Sequence, residues 1–252
     1  MILHLSDLHF GTEQENCLKA IREFCLEYPL EAVVVSGDLT QRARYLQFFH
    51  CKKFLESLGL PYIVIPGNHD IPLFHLWKRF WKPFGRYQFF FGDMEQTLET
   101  DHFYIMGLNT IHPKFHTKGM ITDAQIKKIN QQLAKAPDQK QKILLTHQPF
   151  FLGTAEKNLA KDRPVNSVKA LRAWAEFGLN AVLHGHLHQS AVFDLNEIYQ
   201  LGADHEIFEV HAGTATSYRL HGQSVNSFNL IYPDLKVEVF KFDQTQLKFT
   251  LH

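Results

Sequence analysis

No excess of either charge marks this 252-residue sequence: 26 Lys and Arg balance 26 Asp and Glu. The broad basic footprint of a protein that grips nucleic acid is therefore absent, no stable nucleic-acid partner is expected, and any attraction for phosphate has to be local. Cysteine is scarce, with only Cys17, Cys25 and Cys51. They form no Cys-x-x-Cys pair, and Cys17, Leu18, Ile21, Cys25 and Tyr28 fit one helical face, so they read as reduced core residues of a cytoplasmic protein. Long apolar runs are missing too. The chain opens with the short run Met1 to Leu5 and meets Asp7 at once, which argues against a signal peptide or a transmembrane segment. There is no internal repeat, low-complexity tract or linker rich in Pro, Gly or Ser, and one domain over residues 1–252 is expected. What is abundant is Phe, with 22 copies in a chain that is 45% hydrophobic; a large aromatic core is available and disorder is excluded.

Short apolar runs recur at Ile2–Leu5, Ala32–Val35, Tyr62–Ile65, Phe103–Leu108, Ile143–Leu145 and Ala181–Leu183. Helical patterns fill the gaps at about Gln14–Tyr28, Arg42–Leu58, Thr122–Lys135 and Ser167–Phe177, with Thr122 and Ser167 in cap-like positions. This alternation is that of an α/β sheet. Beyond residue 188 the helices stop, and Ala191–Leu195, Ile207–Val210, Phe228–Ile231, Val237–Phe242 and Gln246–Leu251 read as strands, the last three as an antiparallel meander.

Five of these runs end in residue types that ligate metals: Asp7-Leu8-His9, Gly37-Asp38, Gly67-Asn68-His69-Asp70, His147-Gln148-Pro149 and Gly185-His186-Leu187-His188. Carboxyl ends of strands in an open α/β sheet line one rim, where ligand sites form. Glycine before a polar residue at a strand end permits a sharp turn or a close backbone approach. The Asp-x-His and His-x-His spacings place alternate residues on one side if the segment is extended. Carboxylate oxygens mixed with imidazoles suit Mn²⁺, Fe or Zn²⁺ better than Ca²⁺.

These five motifs, in this order, resemble the signatures of the calcineurin-like metallophosphoesterases. The resemblance implies a four-layer αββα sandwich of two mixed sheets flanked by helices, with the strand-rich tail looking like that family's second sheet. It implies two divalent metal ions, one on Asp7, His9 and His188, the other on Asn68, His147 and His186, with Asp38 bridging both. Such a pair holds a bridging hydroxide for in-line attack on phosphorus and neutralises the equatorial oxygens. His69 is then free to act as general acid, with Asp70 holding its tautomer and orientation. The run from His4 to Gly11 together with Gly37-Asp38-Leu39-Thr40 is similar to the class III cyclic-nucleotide phosphodiesterases, which implies a small phosphodiester as substrate.

Other residues carry weaker expectations. His184 is expected to be structural; His112, His116, His211 and His221 are candidates for supporting or substrate roles. Asn109 either touches substrate or forms a turn, and the run Gly213–Ser217 near Arg219 either presents a hydroxyl or guanidinium to phosphate or is a plain loop. The segment 74–91 interleaves basic and aromatic residues directly after the Asn-His-Asp motif. An amphipathic helix burying Leu76, Phe80 and Pro83-Phe84 is expected there; a cap over the site or a peripheral membrane contact are the alternatives. A pyrophosphatase acting on a nucleotide-sugar lipid, a nuclease and a non-catalytic interaction scaffold remain as competing functions.

Overall fold

The structure, a computed structural model, describes residues 1–73, 76–115, 117–153, 162–220 and 225–252. Phe74, His75, His116 and His221, singled out above, lie outside the described residues, as do the side chains of Leu76 and Lys78. The strands are β1 (Ile2–Leu5), β2 (Ala32–Val35), β3 (Tyr62–Val64), β4 (Thr97–Glu99), β5 (Phe103–Gly107), β6 (Gln141–Leu145), β7 (Ala181–His184), β8 (Ala191–Asp194), β9 (Phe208–His211), β10 (Ser227–Ile231), β11 (Val237–Asp243) and β12 (Lys248–Leu251). The helices are α1 (Glu15–Glu27), α2 (Tyr45–Ser57), α3 (Leu76–Trp81), α4 (Gly85–Phe91), α5 (Asp123–Leu133), α6 (Ser167–Ala175) and α7 (Leu195–Tyr199).

Both faces of each sheet are covered, so the central strands are apolar throughout rather than alternating. The first sheet runs β12-β11-β10-β1-β2-β3 and the second β4-β5-β6-β7-β9-β8. β1, β2 and β3 are parallel, as are β5, β6, β7 and β9, while β10 to β12 and the edge strands β4 and β8 pair antiparallel. On the first sheet, Leu3, Leu5, Val33 and Val35 pack against Leu18, Ile21 and Phe24 of α1 and Phe48 and Leu55 of α2. On the second, Leu144 and Val182 pack against Ile126 and Ile129 of α5 and Leu171 and Trp174 of α6. The intervening residues, Ile2, Val34, Ile63, Ile105, Ile143, Leu145 and Leu183, meet in a third core between the sheets. The result is the expected α/β sandwich of four layers, αββα.

Local chemistry explains most boundaries. Thr122 accepts from the Gln125 amide and Gln125 Oε1 accepts from the Thr122 amide at 2.9 Å, a reciprocal cap that starts α5. Ser167, by contrast, is the first residue of α6; the cap position belongs to Asn166, which takes the left-handed conformation at φ 66°. The three cysteines are free and buried, and burial pushes the Cys17 and Cys25 thiols up to about 12.

Three expectations need correction. Helices do not stop at residue 188: α7 forms where the Asp194 side chain accepts from the Asn196 amide. The strand-rich tail is not a second sheet of its own. β8 and β9 complete the second sheet, whereas β10 to β12 extend the first, because β10 pairs with the free edge of β1. Finally, the helix after the Asn-His-Asp motif does not bury Phe80. α3 is one short turn and a half, and among its described side chains the one sent inward is Arg79, whose guanidinium donates to the carbonyls of Pro113 (2.8 Å), Pro72 (3.2 Å) and Phe115 (2.7 Å). Trp77, Phe80 and Trp81 are left 78%, 58% and 79% exposed. Tyr87 and Phe90 of α4 supply an apolar anchor.

Trp174 is the largest fully buried side chain, wedged between α5 and the second sheet. Trp174→Ala is expected to destabilise the fold by about 3–5 kcal/mol, measured by urea denaturation.

Candidate metal centre

The parallel strands of both sheets end at a common seam. β1 leads into Asp7 and His9, β2 into Asp38, and β3 into a single 3₁₀ turn over Asn68–Asp70. From the facing sheet, β6 leads into His147 and β7 into His186 and His188. The seven residues named from the sequence therefore converge, four from one sheet and three from the other.

They do so by a backbone route different from the extended one expected. Asp7, His9, Asp38, His186 and His188 all adopt positive φ, between 47° and 69°. Non-glycine residues rarely take this left-handed conformation, and each costs of order 1 kcal/mol or more. Members of each Asp-x-His or His-x-His pair share a direction because both are left-handed, not because the chain is pleated. The close approach of the two sheets also dictates glycine. A Cβ on Gly185 would collide with Ser6 and Asp7, one on Gly67 with Asp38, and one on Gly37, itself at φ 97°, with the His147 ring.

Two sets of donors result. In the first, His188 Nε2 lies 3.1 Å from Asp7 Oδ1 and 3.3 Å from His9 Nε2. His9 Nε2 is in turn 3.7 Å from both Asp7 Oδ1 and Asp38 Oδ2. In the second, His147 Nε2 lies 3.0 Å from Asn68 Oδ1, 3.2 Å from His186 Nδ1 and 3.5 Å from Asp38 Oδ1. The tautomers follow from the far side of each ring. His147 Nδ1 donates to the Ser36 carbonyl at 2.8 Å, which leaves a lone pair on Nε2. Asp162, buried, sets Oδ1 3.6 Å from His186 Nε2 and so favours a proton there and a lone pair on Nδ1.

Charge states point the same way. Burial drives the His9 imidazole down to about 4, against the pull of Asp38 and Asp7, and holds His147 below its ordinary value. Burial works against ionised Asp7 too, but the adjoining His188 outweighs it and keeps that carboxyl below the usual range. Carboxylates and imidazoles converging on common points form a donor set that fits small divalent cations. Asp7 with His9 and His188, and Asp7 with Asp38 and His147, each bring their donor atoms within 4.8 Å of one another.

Residues 1–190 match the family model of the calcineurin-like phosphoesterases. This chain belongs to that family. A probable cyclic nucleotide phosphodiesterase of Ruthia magnifica is 23% identical over 194 residues, covering 75% of this chain and 76% of the relative. A probable glycerophosphodiester phosphodiesterase of Arcobacter nitrofigilis is 26% identical over 140 residues, 55% of this chain and 48% of the relative. Among solved structures, a purple acid phosphatase from yellow lupin (Lupinus luteus) superposes with a TM-score of 0.71 at 13% identity, covering 99% of this chain and 52% of that one. The chain thus spans about half the length of the lupin protein and of the Arcobacter relative. Membership makes it a metal-dependent phosphoester hydrolase.

Within this phosphoesterase, Asp70 does not do what was expected. Its carboxylate faces away from the His69 ring and accepts from the amides of Leu39 (3.0 Å), Thr40 (2.8 Å) and Gly67 (2.8 Å) and from the Thr40 hydroxyl (2.8 Å). It fastens the Asp38 loop to the Asn68 loop. His69 is instead oriented by Gln41, whose carbonyl lies 3.0 Å from Nδ1. Gln41 and Asp162 were both missed in the sequence. Gln41 follows Gly37-Asp38-Leu39-Thr40 closely enough to have been suspected; Asp162 sits in no motif.

The Gly213–Ser217 run serves the site from below. Thr214 and Thr216 donate to the carbonyls of Asp7 and Leu8, each at 2.6 Å, so their hydroxyls hold the left-handed loop and do not face substrate. Asn109 is a turn residue, its Oδ1 accepting from the Ile111 amide. His112 sits in a surface loop beside Phe115, and His184 and His211 are buried against Glu209. Arg219 does reach the site: with His9, Gln41, His69, His188 and Leu220 it lines a cavity of about 330 Å³ over the first donor set.

Asp70→Ala leaves three buried amides without an acceptor. A loss of about 3 kcal/mol or more is expected in urea denaturation, accompanied by weaker metal retention as the two loops part.

Proposed function

We propose that the chain hydrolyses a small phosphodiester, a cyclic nucleotide or a compound of similar size, with two divalent cations. Asp7, His9 and His188 hold one, Asn68, His147 and His186 the other, and Asp38 joins them. The observation that carries this reading is the orientation of Asp38, with Oδ2 toward His9 and Oδ1 toward His147. Mixed oxygen and nitrogen donors suit Mn²⁺, Fe or Zn²⁺. Once bound, the ions supply Lewis acidity toward phosphoryl oxygens and acidify a water for attack.

The chain's own groups complete the chemistry. The His69 ring stands edge-on to His9 at 4.8 Å between centroids and lines the cavity, while Gln41 engages Nδ1 and leaves Nε2 as the free ring nitrogen for proton transfer. It is placed to protonate the departing oxygen. His69 also lies close enough to His9 and Asp38 to act as a ligand itself, and metal counting separates the two roles. Arg219 brings a positive charge to the same cavity for a phosphoryl oxygen. A diester is supported by the names of the Ruthia and Arcobacter relatives, both phosphodiesterases.

A second reading, a lipid-linked pyrophosphate as substrate, is favoured by one observation. Trp77 and Trp81 stack at 5.6 Å and, with Pro72, Pro83, Lys82 and Arg86, line a cavity of about 380 Å³ that reaches Asp70 beneath the site. Such a surface fits an apolar chain beside an anionic head. Among the described residues no helix is long and apolar enough to cross a membrane.

Chelator-stripped protein is expected to be inactive and to recover with Mn²⁺, cleaving bis(p-nitrophenyl) phosphate faster than the monoester. Preference for the monoester overturns the diesterase assignment, and stimulation by detergent with a lipid pyrophosphate, abolished in Trp77→Ala, favours the second reading. His69→Ala is expected to keep both metals and to lose roughly 10²–10⁴ in kcat, most for poor leaving groups; an equal loss for good and poor leaving groups excludes the acid role. Asp38→Asn is expected to weaken both ions together, measured by elemental analysis after dialysis.

A further inference from the structure

One side of the molecule keeps an aromatic surface that no described residue covers. Eight aromatic side chains are exposed among the described residues, and six of them belong to α2, α3 and α4. Trp77, Phe80 and Trp81 share the outer face of α3, because positions three and four apart are neighbours on one side of a helix. The three carbonyls that Arg79 binds fix the other side, so the rings are held toward solvent. α4 and α2 continue this surface. Exposed Phe89 lies 6.0 Å from exposed Tyr45 between ring centroids, and Arg86 Nη1 donates to the Ala43 carbonyl at 2.6 Å, tying α4 to the start of α2. Ala43 and Arg86 also line the cavity behind the stacked indoles, which joins α3 to the other two helices.

Charge on this surface has one sign. The stretches 39–55 and 71–92, which carry all six rings, hold eight of the chain's 26 Lys and Arg and none of its 26 Asp and Glu. Arg44 and Lys82, directly beside Tyr45 and Trp81 in the chain, are both exposed. A surface that meets only water has no use for paired indoles, and the buried centre of a protein–protein contact is depleted in Lys. Aromatic rings among cations match instead the boundary between acyl chains and phosphate headgroups, where indoles lodge and Lys and Arg meet anionic lipid.

We infer that the face built by α2, α3 and α4 docks on an anionic phospholipid bilayer, with Trp77, Phe80 and Trp81 entering the headgroup boundary and Arg44 and Lys82 against the lipid phosphates. The attachment is peripheral and does not depend on which phosphoester is cleaved. The cavity behind the indoles reaches Asp70, so the docked face adjoins the loop that carries Asn68 and His69.

Tryptophan fluorescence tests this directly, since of the three tryptophans Trp174 is fully buried and the other two lie on the proposed face. Vesicles of phosphatidylglycerol and phosphatidylcholine are expected to shift the emission to the blue, to quench it when the acyl chains are brominated, and to carry the protein down on sedimentation, all less so as salt is raised. Phe80→Ser combined with Phe89→Ser, neither of which lines the two cavities described, is expected to weaken vesicle binding roughly tenfold or more. Hydrolysis of bis(p-nitrophenyl) phosphate in lipid-free buffer is expected to be unchanged in that variant. Chelator-stripped protein is expected to bind the same vesicles as well as metal-loaded protein does, so docking and the metal assignment fail separately. Lack of binding to the anionic vesicles overturns the inference, as does equal binding to pure phosphatidylcholine or undiminished binding by the folded double variant. A lipid-free dimer whose tryptophans are already shielded from acrylamide overturns it too, because the face then meets a second copy of the chain.

Discussion

Two buried carboxylates set the terms for this molecule. Asp7 and Asp38 are almost wholly removed from solvent, and among the described residues their ion-pair neighbours are histidines, with no Lys or Arg. An uncompensated buried charge costs several kcal/mol; burial holds two of the facing imidazoles, His9 and His147, below their ordinary range, and His188, raised by Asp7, answers only one of the two carboxylates directly. Divalent cations resolve the conflict: they need the lone pairs and the negative charge that are otherwise unfavourable. The strain of five left-handed rim residues fits the same account, because a conformation disfavoured in isolation persists where the surrounding structure over-determines it.

Cross-sheet bonds show how that over-determination is built. The Ser36 carbonyl of one sheet orients His147 of the other, and Asp7 Oδ2 accepts the His186 amide at 3.0 Å. Gly37 and Gly185 sit at these crossings, where a side chain would part the sheets. Asp70 then binds two loops of the first sheet, and Thr214 and Thr216 support the loop that bears Asp7 and His9. Each rim side chain is therefore held by its neighbours' backbone as much as by its own strand, above the inter-sheet core of Ile2, Val34, Ile143 and Leu183.

Legibility from the sequence followed this division. The α/β alternation and the five strand-end motifs were readable because they rest on covalent spacing: a fully buried parallel strand is a continuous apolar run, and its polar successor must lie at the rim; the four-layer sandwich and the choice of seven residues came from the family resemblance. What failed to read were relations made across the fold. Asp70 adjoins His69 in the chain, which suggested a partnership, yet a 3₁₀ turn sends the two side chains in different directions and gives Gln41 the orienting role. Asp162 lies close behind His186 with no motif around it. The tail strands read correctly as strands, but which sheet they join depends on the free edge of β1, and no local pattern encodes that.

The same distinction explains why the chemistry is better defined than the substrate. Ligand identity belongs to strand ends, whereas the space above them is shaped by the Gln41 loop, by Arg219 and Leu220, and by the short aromatic turn of α3. That turn exposes Trp77 and Trp81 because Arg79, the residue it sends inward, satisfies three carbonyls from two other loops. Periodicity alone assigns the inward face to the apolar residues; here the carbonyls of Pro72, Pro113 and Phe115 draw the Arg79 guanidinium inward instead, and the two indoles stack on each other outside. The surface that meets the substrate's far end is thus decided by backbone groups some distance from the metals, and a family's shared rim is compatible with many different groups beyond the phosphorus.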